Sequence, residues 1–290
     1  MKKKIQKIIN KKNKTKIVCL TAYSKNIAEE VDRYADITLV GDSLGSVLYN
    51  YDTTRKVTLT NMLDHSKSVK MGIKKSLMVV DMPFNTYGSN SLALKNAKRI
   101  IKETKCDAVK LEGGKKIIKQ VNYLIKNKIP VMGHLGVLPQ TVKGKFKSKG
   151  KTEYEKRILI NDAILLQNSG VFAIVLECIK TSTAKKITEI LKIPTIGIGS
   201  SVNCDGQVLV TDDLIGLNET KIKFVKKFVN VKRYIKGKGA WQPIDIILYD
   251  PVVPSAAQAV MEWIRQSHES VTGRDGYSDF YKKDVTFNML

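Results

Sequence analysis

A repeated alternation of short apolar runs with amphipathic segments is the feature that most constrains how this chain folds. From Lys16 onward, eight apolar runs of four to six residues are separated, for the most part, by segments with helical periodicity. Continuous apolar strands between amphipathic helices are typical of a parallel sheet that is buried on both faces. Eight such units within roughly 200–230 residues favour a (β/α)8 TIM barrel over an open doubly wound sheet. The predicted strands are 17–21, 37–41, 77–81, 108–112, 130–134, 172–177, 194–198 and 207–210.

Polar, chemically active side chains follow or end several of these apolar runs. Asp42 comes directly after the second run, Asp81 and Glu112 end the third and fourth, His134 ends the fifth and Glu177 ends the sixth. In (β/α)8 barrels, catalytic groups lie at the C-terminal ends of the strands and in the loops that follow them. We therefore expect these side chains to form one site at one mouth of the barrel.

Three of these residues, Asp42, Asp81 and Glu112, are carboxylates that would repel each other unless a cation neutralised them. Oxygen ligands of this kind favour a hard divalent cation, Mg²⁺ first, although acidic barrel mouths without a metal also exist. Lys110 lies two residues before Glu112 on the same predicted strand, so both side chains face the barrel interior. Lys110 is then either a ligand for an anion or carboxylate of the substrate, or the partner of Glu112 in a structural ion pair.

Glu177 follows the wholly apolar run 171–176, which predicts a partly desolvated acid suited to general-base catalysis. The alternative for Glu177 is an acid that only bridges Lys110. His134 either contacts the substrate or forms hydrogen bonds within the mouth. Metal-binding acids, an inward lysine and an isolated glutamate together describe a site that chelates a 2-oxo acid and removes a proton from its adjacent carbon.

The composition is that of a globular protein without membrane-spanning segments. The 290 residues are 43% hydrophobic and 27% charged, and the formal net charge is +23. The lysines are scattered rather than grouped in an Arg-rich or aromatic-interleaved stripe, which favours a solvated surface over a nucleic-acid partner. The four cysteines contain no C-x-x-C pair, and the basic N-terminal segment lacks the apolar region of a signal peptide. We expect a cytoplasmic protein that binds neither nucleic acid nor membrane.

The chain changes character near residue 238. Residues 240–290 carry four basic and seven acidic side chains and both tryptophans, whereas residues 1–239 are strongly basic. This predicts a (β/α)8 catalytic domain over 1–239 and a C-terminal appendage over 240–290, to which no chemistry is assigned. Residues 1–14 are predicted to form a short amphipathic helix that covers one end of the domain.

Seven motifs along the chain resemble, in order and spacing, those of the ketopantoate hydroxymethyltransferase family over about residues 4–237. They are Gly41-Asp42-Ser43-Leu44-Gly45, Asp81-Met82-Pro83-Phe84, Val109-Lys110-Leu111-Glu112-Gly113-Gly114, Gly133-His134-Leu135-Gly136, Val175-Leu176-Glu177, Ile196-Gly197-Ile198-Gly199 and Asp205-Gly206-Gln207. The resemblance implies a barrel of the phosphoenolpyruvate/pyruvate type. It also implies transfer of a one-carbon unit from 5,10-methylenetetrahydrofolate, as co-substrate, to 3-methyl-2-oxobutanoate, giving 2-dehydropantoate in pantothenate and coenzyme A biosynthesis.

The resemblance also assigns roles to individual residues. Asp42, Asp81 and Glu112 match the family's Mg²⁺ positions, and Glu177 matches its proton acceptor. Asp42 with Ser43, Asp81 and Lys110 match the positions that contact the oxo acid, and His134 is added from its place at the mouth. Members of the family are homo-oligomers, usually decamers, which implies the same kind of assembly here.

Three segments depart from the family pattern. The loop after Pro139-Gln140 is shorter and rich in lysine, Gly199-Ser200-Ser201 replaces a usual Gly-Ala-Gly, and the C-terminal segment lacks the usual short tail. A competing interpretation is a Mg²⁺-dependent carbon–carbon lyase or phosphomutase on the same barrel. Those enzymes need a nucleophilic Cys or an Arg-rich clamp at the mouth. A binding or scaffold protein derived from such a barrel is the alternative from a different class.

Overall fold

The structure, a computed structural model, describes residues 2–142 and 147–217. The chain divides into two compact units, Met1–Thr211 and Asp212–Leu290. The first unit contains the barrel. Of the second, only residues 212–217 are described, so the predicted strand and helix within 240–290 and the lysine-rich positions 143–146 lie outside the described residues.

The described elements alternate between strands and helices as the sequence predicts. The strands are β1 (Ile17–Thr21), β2 (Ile37–Val40), β3 (Leu77–Asp81), β4 (Ala108–Glu112), β5 (Val131–Gly136), β6 (Ala173–Glu177), β7 (Thr195–Ile198) and β8 (Gly206–Leu209). The α-helices are α1 (Lys2–Asn10), α2 (Lys25–Tyr34), α3 (Leu44–Tyr49), α4 (Leu59–Gly72), α5 (Asn90–Thr104), α6 (Ile118–Lys126), α7 (Glu153–Asn168), α8 (Thr181–Ile190) and α9 (Thr211–Leu214). Two 3-10 turns, Thr54–Lys56 and Lys115–Ile117, precede α4 and α6.

The eight strands close into one barrel in sequence order, and β1 pairs with β8. Every pairing between neighbouring strands is parallel. The predicted (β/α)8 TIM barrel is therefore confirmed. Parallel pairing brings all the strand ends to the same mouth, which is where the predicted site residues lie.

Side chains at alternate strand positions form two separate apolar layers. One layer fills the barrel and includes Ile17, Leu39 and Val79, while the other, including Val80 and Leu111, packs with the surrounding helices. Ile8 of α1 is buried against the layer inside the barrel. The N-terminal helix thus covers one end of the barrel, as predicted, and its apolar face is buried there.

Local capping interactions define where several helices begin. At the start of α4 the Thr58 hydroxyl accepts a hydrogen bond from the Asn61 backbone N–H (3.1 Å), and the Asn61 side chain accepts one from the Thr58 backbone N–H (2.9 Å). These two bonds form a capping box, which satisfies N–H groups that have no partner within the helix. The Thr152 hydroxyl caps α7 in a similar way through the Glu155 N–H (3.2 Å).

The structure differs from the sequence-based element bounds at a few places. Strand β5 runs to Gly136 rather than to His134, and β2 ends at Val40, one residue earlier than predicted. The segment 46–58, between the predicted second and third strands, contains most of α3 and a 3-10 turn. Glycine and polar residues obscure the periodicity of so short a helix. Among the described residues, no helix is long and apolar enough to cross a membrane.

Candidate active site

The mouth at the C-terminal ends of the strands brings the predicted polar residues together. Asp81, Glu112 and Glu177 are the last residues of β3, β4 and β6, and His134 lies in β5. Strand register places Asp81 beside Lys110 and Glu112 beside His134. The alternation of side chains along each strand then directs these groups into the barrel rather than toward the helices.

Lys110 lies at the centre of this arrangement and is buried. Its Nζ is 3.0 Å from Asp81 Oδ1 and 3.2 Å from His134 Nδ1. Burial by itself lowers the pKa of Lys110, but the charges of Asp81, Glu112 and Asp42 outweigh that effect and raise it above its ordinary value. Lys110 therefore remains protonated at neutral pH and donates toward its neighbours. The sequence analysis left two roles for Lys110 open, a ligand for the substrate or an ion pair with Glu112. The structure contains an ion pair of Lys110, but its partner is Asp81.

Asp42 and Glu112 are bridged by a residue that the sequence analysis did not select, Gln140. The Gln140 side-chain amide donates to Asp42 Oδ2 (2.7 Å), and its backbone N–H donates to Glu112 Oε2 (3.1 Å). The Asp42 backbone N–H in turn donates to Asp81 Oδ2 (3.1 Å). The three carboxylates thus belong to one buried network.

Burial disfavours the ionised forms of Asp42 and Glu112 in this network. Burial raises the pKa of Asp42 well above its usual range, and the neighbouring Asp81 charge adds to that increase. Burial also raises the pKa of Glu112, with the Asp42 charge as the second cause, while Lys110 opposes both shifts. The protein therefore holds these acids in a place where an additional positive charge would stabilise their ionised forms.

His134 separates Lys110 from Glu177. Burial lowers the pKa of His134, and the Lys110 charge lowers it further, so the ring is neutral at pH 7. A neutral ring that accepts from Lys110 at Nδ1 carries its proton on Nε2, which lies 3.2 Å from Glu177 Oε2. This contact is close but not aligned as a hydrogen bond. The Glu177 side chain is 15% exposed, compared with 3% for His134, so Glu177 is the acid that an incoming molecule can reach.

Ser43 follows Asp42 at the start of α3 and forms a hydrogen bond with Tyr23, which follows β1. Its hydroxyl lies 2.8 Å from the Tyr23 hydroxyl. A Cβ atom on Gly41 would lie 2.8 Å from Ser43 Oγ and 3.5 Å from Asp81 Oδ2. Glycine at position 41 therefore allows Ser43 to approach the acids closely.

The donor set of the mouth is compatible with a divalent cation. No group of three or more His, Cys, Asp or Glu side chains within residues 2–142 and 147–217 is already arranged as a metal site. The chemistry nevertheless fits Mg²⁺, because Asp42, Asp81 and Glu112 are oxygen donors that belong to one buried network. These three residues are the ones that could hold the ion.

The structure thus gathers all seven residues that the sequence predicted for the site. It adds three that the prediction missed, Gln140, Tyr87 and Tyr23. Gln140 bonds Asp42, Tyr23 bonds Ser43, and the Tyr87 hydroxyl donates to Gln140 Oε1. All three lie in loops that follow strands, and the rule that strand-end loops build barrel sites could have indicated those loops.

Solved structures with similar folds are enzymes that act on small carboxylic acids. A phosphoenolpyruvate phosphomutase from Streptomyces platensis superposes with a TM-score of 0.56 at 10% identity, covering 74% of this chain and 81% of that one. A 2,3-dimethylmalate lyase of the PEP mutase/isocitrate lyase superfamily gives a TM-score of 0.55 at 10% identity, covering 74% of this chain and 81% of that one. At such low identity these matches show the barrel fold alone.

Sequence relatives are far more similar. The 3-methyl-2-oxobutanoate hydroxymethyltransferase of Pelagibacter ubique is 64% identical over 235 residues, which are 81% of this chain and 91% of that protein. The protein of the same name from Anaplasma marginale is 46% identical over 228 residues, covering 78% of this chain and 82% of that protein. The family model for ketopantoate hydroxymethyltransferase matches residues 2–240. The chain therefore belongs to the ketopantoate hydroxymethyltransferase family.

Proposed function

We propose that this enzyme transfers a hydroxymethyl group from 5,10-methylenetetrahydrofolate to 3-methyl-2-oxobutanoate, giving 2-dehydropantoate for pantothenate and coenzyme A biosynthesis. Family membership and the names of the relatives support the reaction class. The observation that carries the proposal is the pairing, at one barrel mouth, of a buried cluster of acids around Lys110 with the reachable acid Glu177. The first group suits a chelating 2-oxo acid, and the second suits removal of a proton from it.

The oxo acid would bind through its carboxylate and ketone oxygens. Lys110 is protonated, and Ser43 carries a hydroxyl next to Asp42 in the chain, so we assign both to the carboxylate of the oxo acid. Asp42, Asp81 and Glu112 would hold Mg²⁺. When bound, the ion would polarise the ketone and so acidify the neighbouring C–H group.

Glu177 would act as the general base. It would take the proton from carbon 3 of the oxo acid, and the neutral His134 beside it would hold the carboxylate in position. Water would add to the one-carbon unit of the folate and release it as formaldehyde, which breaks both of its C–N bonds and leaves tetrahydrofolate. The carbon nucleophile would then form a bond to the carbonyl carbon of formaldehyde, and the resulting alkoxide would take up a proton to become the hydroxyl group of the product.

The competing lyase or phosphomutase chemistry has less support from this mouth. Burial raises the pKa of Cys178, which directly follows Glu177, to about 11, and the Glu177 charge adds to that increase. A thiol with so high a pKa is protonated at pH 7 and is a weak nucleophile. The cation that faces the acids is a lysine rather than an arginine clamp.

The proposal is tested by following 2-dehydropantoate by mass spectrometry, with both substrates and either Mg²⁺ or a chelator. We expect metal-dependent product from the wild type. Glu177→Gln should lower turnover by about 10²–10⁴-fold because it removes a general base. Glu189→Gln is the matched control, since Glu189 is half exposed on α8 beside Lys185. An equal loss of turnover in both variants, or product formation at the same rate with the chelator as with Mg²⁺, would contradict the mechanism.

The half-reaction can be measured without folate. In deuterated buffer, proton NMR of 3-methyl-2-oxobutanoate reports exchange at carbon 3. Wild type should catalyse this exchange, and Glu177→Gln should not. Exchange that persists in the variant would assign proton removal to another residue.

We further propose that the enzyme works in the cytoplasm as a homo-oligomer, a decamer by family resemblance, with catalysis in residues 1–239 and none in 240–290. On α7, Tyr154, Ile158 and Leu165 are 66%, 41% and 37% exposed, and their spacing places them along one face. An exposed apolar face of this kind supports self-association. Light scattering on the full chain measures the stoichiometry, and a monomer would refute the proposal.

A further inference from the structure

Gln140 is a buried amide whose hydrogen-bonding capacity is fully used at the barrel mouth. Only 1% of the residue is exposed. Its Nε2 donates to Asp42 Oδ2 (2.7 Å) and to the Met82 carbonyl oxygen (3.0 Å). Its Oε1 accepts from the Tyr87 hydroxyl (2.5 Å), and its backbone N–H donates to Glu112 Oε2 (3.1 Å). The same residue therefore contacts two acids that come from different strands.

The orientation of this amide is determined by its partners. A primary amide has two N–H bonds and one strong acceptor, and here all three are matched. The reversed orientation would place the amide oxygen against the Asp42 carboxylate and the Met82 carbonyl, both of which are acceptors.

We propose that Gln140 is a positioning residue that orients Asp42 and Glu112 for a divalent cation, and that Tyr87 holds Gln140 in place. Gln140 engages one oxygen of each carboxylate, Oδ2 of Asp42 and Oε2 of Glu112. The second oxygen of each acid is left to other partners, and that of Glu112 lies 3.6 Å from His134 Nδ1. The inference rests on the proposed function in assuming that these acids bind the metal.

An uncharged donor suits this task better than a cation would. Gln140 fixes the direction of both acids through hydrogen bonds, but it does not cancel their charge, so their attraction for a divalent ion is kept. Hydrogen-bonded partners of metal ligands typically contribute about 10–100-fold to metal affinity.

The experiment measures Mn²⁺ binding to the full chain by electron paramagnetic resonance, without substrate. Mn²⁺ serves as a spectroscopic substitute for Mg²⁺. Gln140→Met keeps the length of the side chain and removes its donors, and we expect a loss of about 10–100-fold in Mn²⁺ affinity with a changed spectrum of the bound ion. Gln120→Met is the matched control, because the Gln120 amide on α6 donates to the Gly88 carbonyl oxygen (3.2 Å), which is not one of the three acids. The control should bind as the wild type does.

Tyr87→Phe is the second variant and removes a single hydroxyl. It should weaken Mn²⁺ binding in the same direction but less, and it keeps the test open if Gln140→Met does not fold. If Gln140→Met folds and binds Mn²⁺ with the wild-type affinity and spectrum, the positioning role is overturned and the proposed function stands. If only Tyr87→Phe folds, the same result in that variant overturns the role. Absence of Mn²⁺ binding in the wild type itself would overturn the metal site and, with it, the role of Gln140.

Discussion

Replacing Lys110 by methionine tests whether the buried charge at the mouth is needed for folding. Lys110 is buried, with its Nζ 3.0 Å from Asp81 Oδ1 and 3.2 Å from His134 Nδ1. Methionine has a similar length but no charge, so Lys110→Met leaves the acids without their counter-charge. The variant therefore isolates an electrostatic effect from a loss of volume.

The expected cost follows from the burial of this pair. Removing one partner of a buried ion pair destabilises a protein by about 3–5 kcal/mol, because an uncompensated buried charge remains. In a domain of about 200 residues, each kcal/mol shifts the melting temperature by about 2–4 °C. We therefore expect Lys110→Met to lower it by roughly 6–20 °C. The loss should be smaller at pH 5 than at pH 8, because Asp42 and Glu112 have raised pKa values and can become protonated.

The assays are thermal unfolding, for the melting temperature, and urea unfolding, for the free energy, both followed by far-ultraviolet circular dichroism with Lys156→Met as the control. Lys156 pairs with Glu153 at 3.3 Å on the surface, where side-chain exposures are 34% and 89%. Exposed pairs of this kind contribute about 0–1 kcal/mol, so the control should be nearly neutral. Equal losses in the two variants, or a loss below about 1 kcal/mol for Lys110→Met, would refute the electrostatic reasoning.

Three further predictions concern stability elsewhere in the first unit. Asp32 accepts hydrogen bonds from residues 74–76; burial alone would raise its pKa, but these bonds hold it below its usual range. Asp32→Asn should therefore lower the free energy of unfolding by about 1–3 kcal/mol above pH 5, and this loss should shrink as the pH falls below about 4. Unfolding curves from pH 3 to 7 measure it, and a loss that stays constant over this range would contradict the prediction. Gly136 has φ +103°, and a Cβ there would collide with the backbone of β6. Gly136→Ala should therefore lower the free energy of unfolding by more than about 2 kcal/mol in thermal unfolding. Gly88 has open space around it, so the control Gly88→Ala should change this free energy by less than about 0.5 kcal/mol. Ile8→Ala should cost about 2–4 kcal/mol by urea unfolding, because Ile8 is 3% exposed at the closed end of the barrel; a neutral result would mean that α1 does not contribute to the core.

The fold was predictable from the sequence because burial on both faces of a parallel strand leaves a continuous apolar run. The run before Glu112 and the run before Glu177 have no polar interruption other than the inward-facing Lys110. Such runs identify strands without alignment or structure. The short helix α3 escaped prediction because it is only six residues long and includes Gly45 and Ser46, so it shows no clear helical period.

The candidate site was only partly predictable. Asp81, Glu112 and Glu177 could be identified because each ends a strand, and the ends of parallel strands meet at one mouth. Gln140 and Tyr87 do not end a strand. They lie in the loops after β5 and β3, so the rule that such loops build barrel sites indicates the loops, but the direction of each side chain depends on distant contacts rather than on strand periodicity.

What the sequence by itself determined is the barrel and the acids at its mouth, since both follow from short-range patterns that burial imposes on every strand. Only the tertiary structure decided how those acids are connected. It placed Lys110 against Asp81 rather than Glu112, and it used Gln140 to join Asp42 to Glu112. The physical reason is that hydrogen bonds and ion pairs depend on distances of about 3 Å between groups far apart in the chain, and periodicity carries no information about such distances.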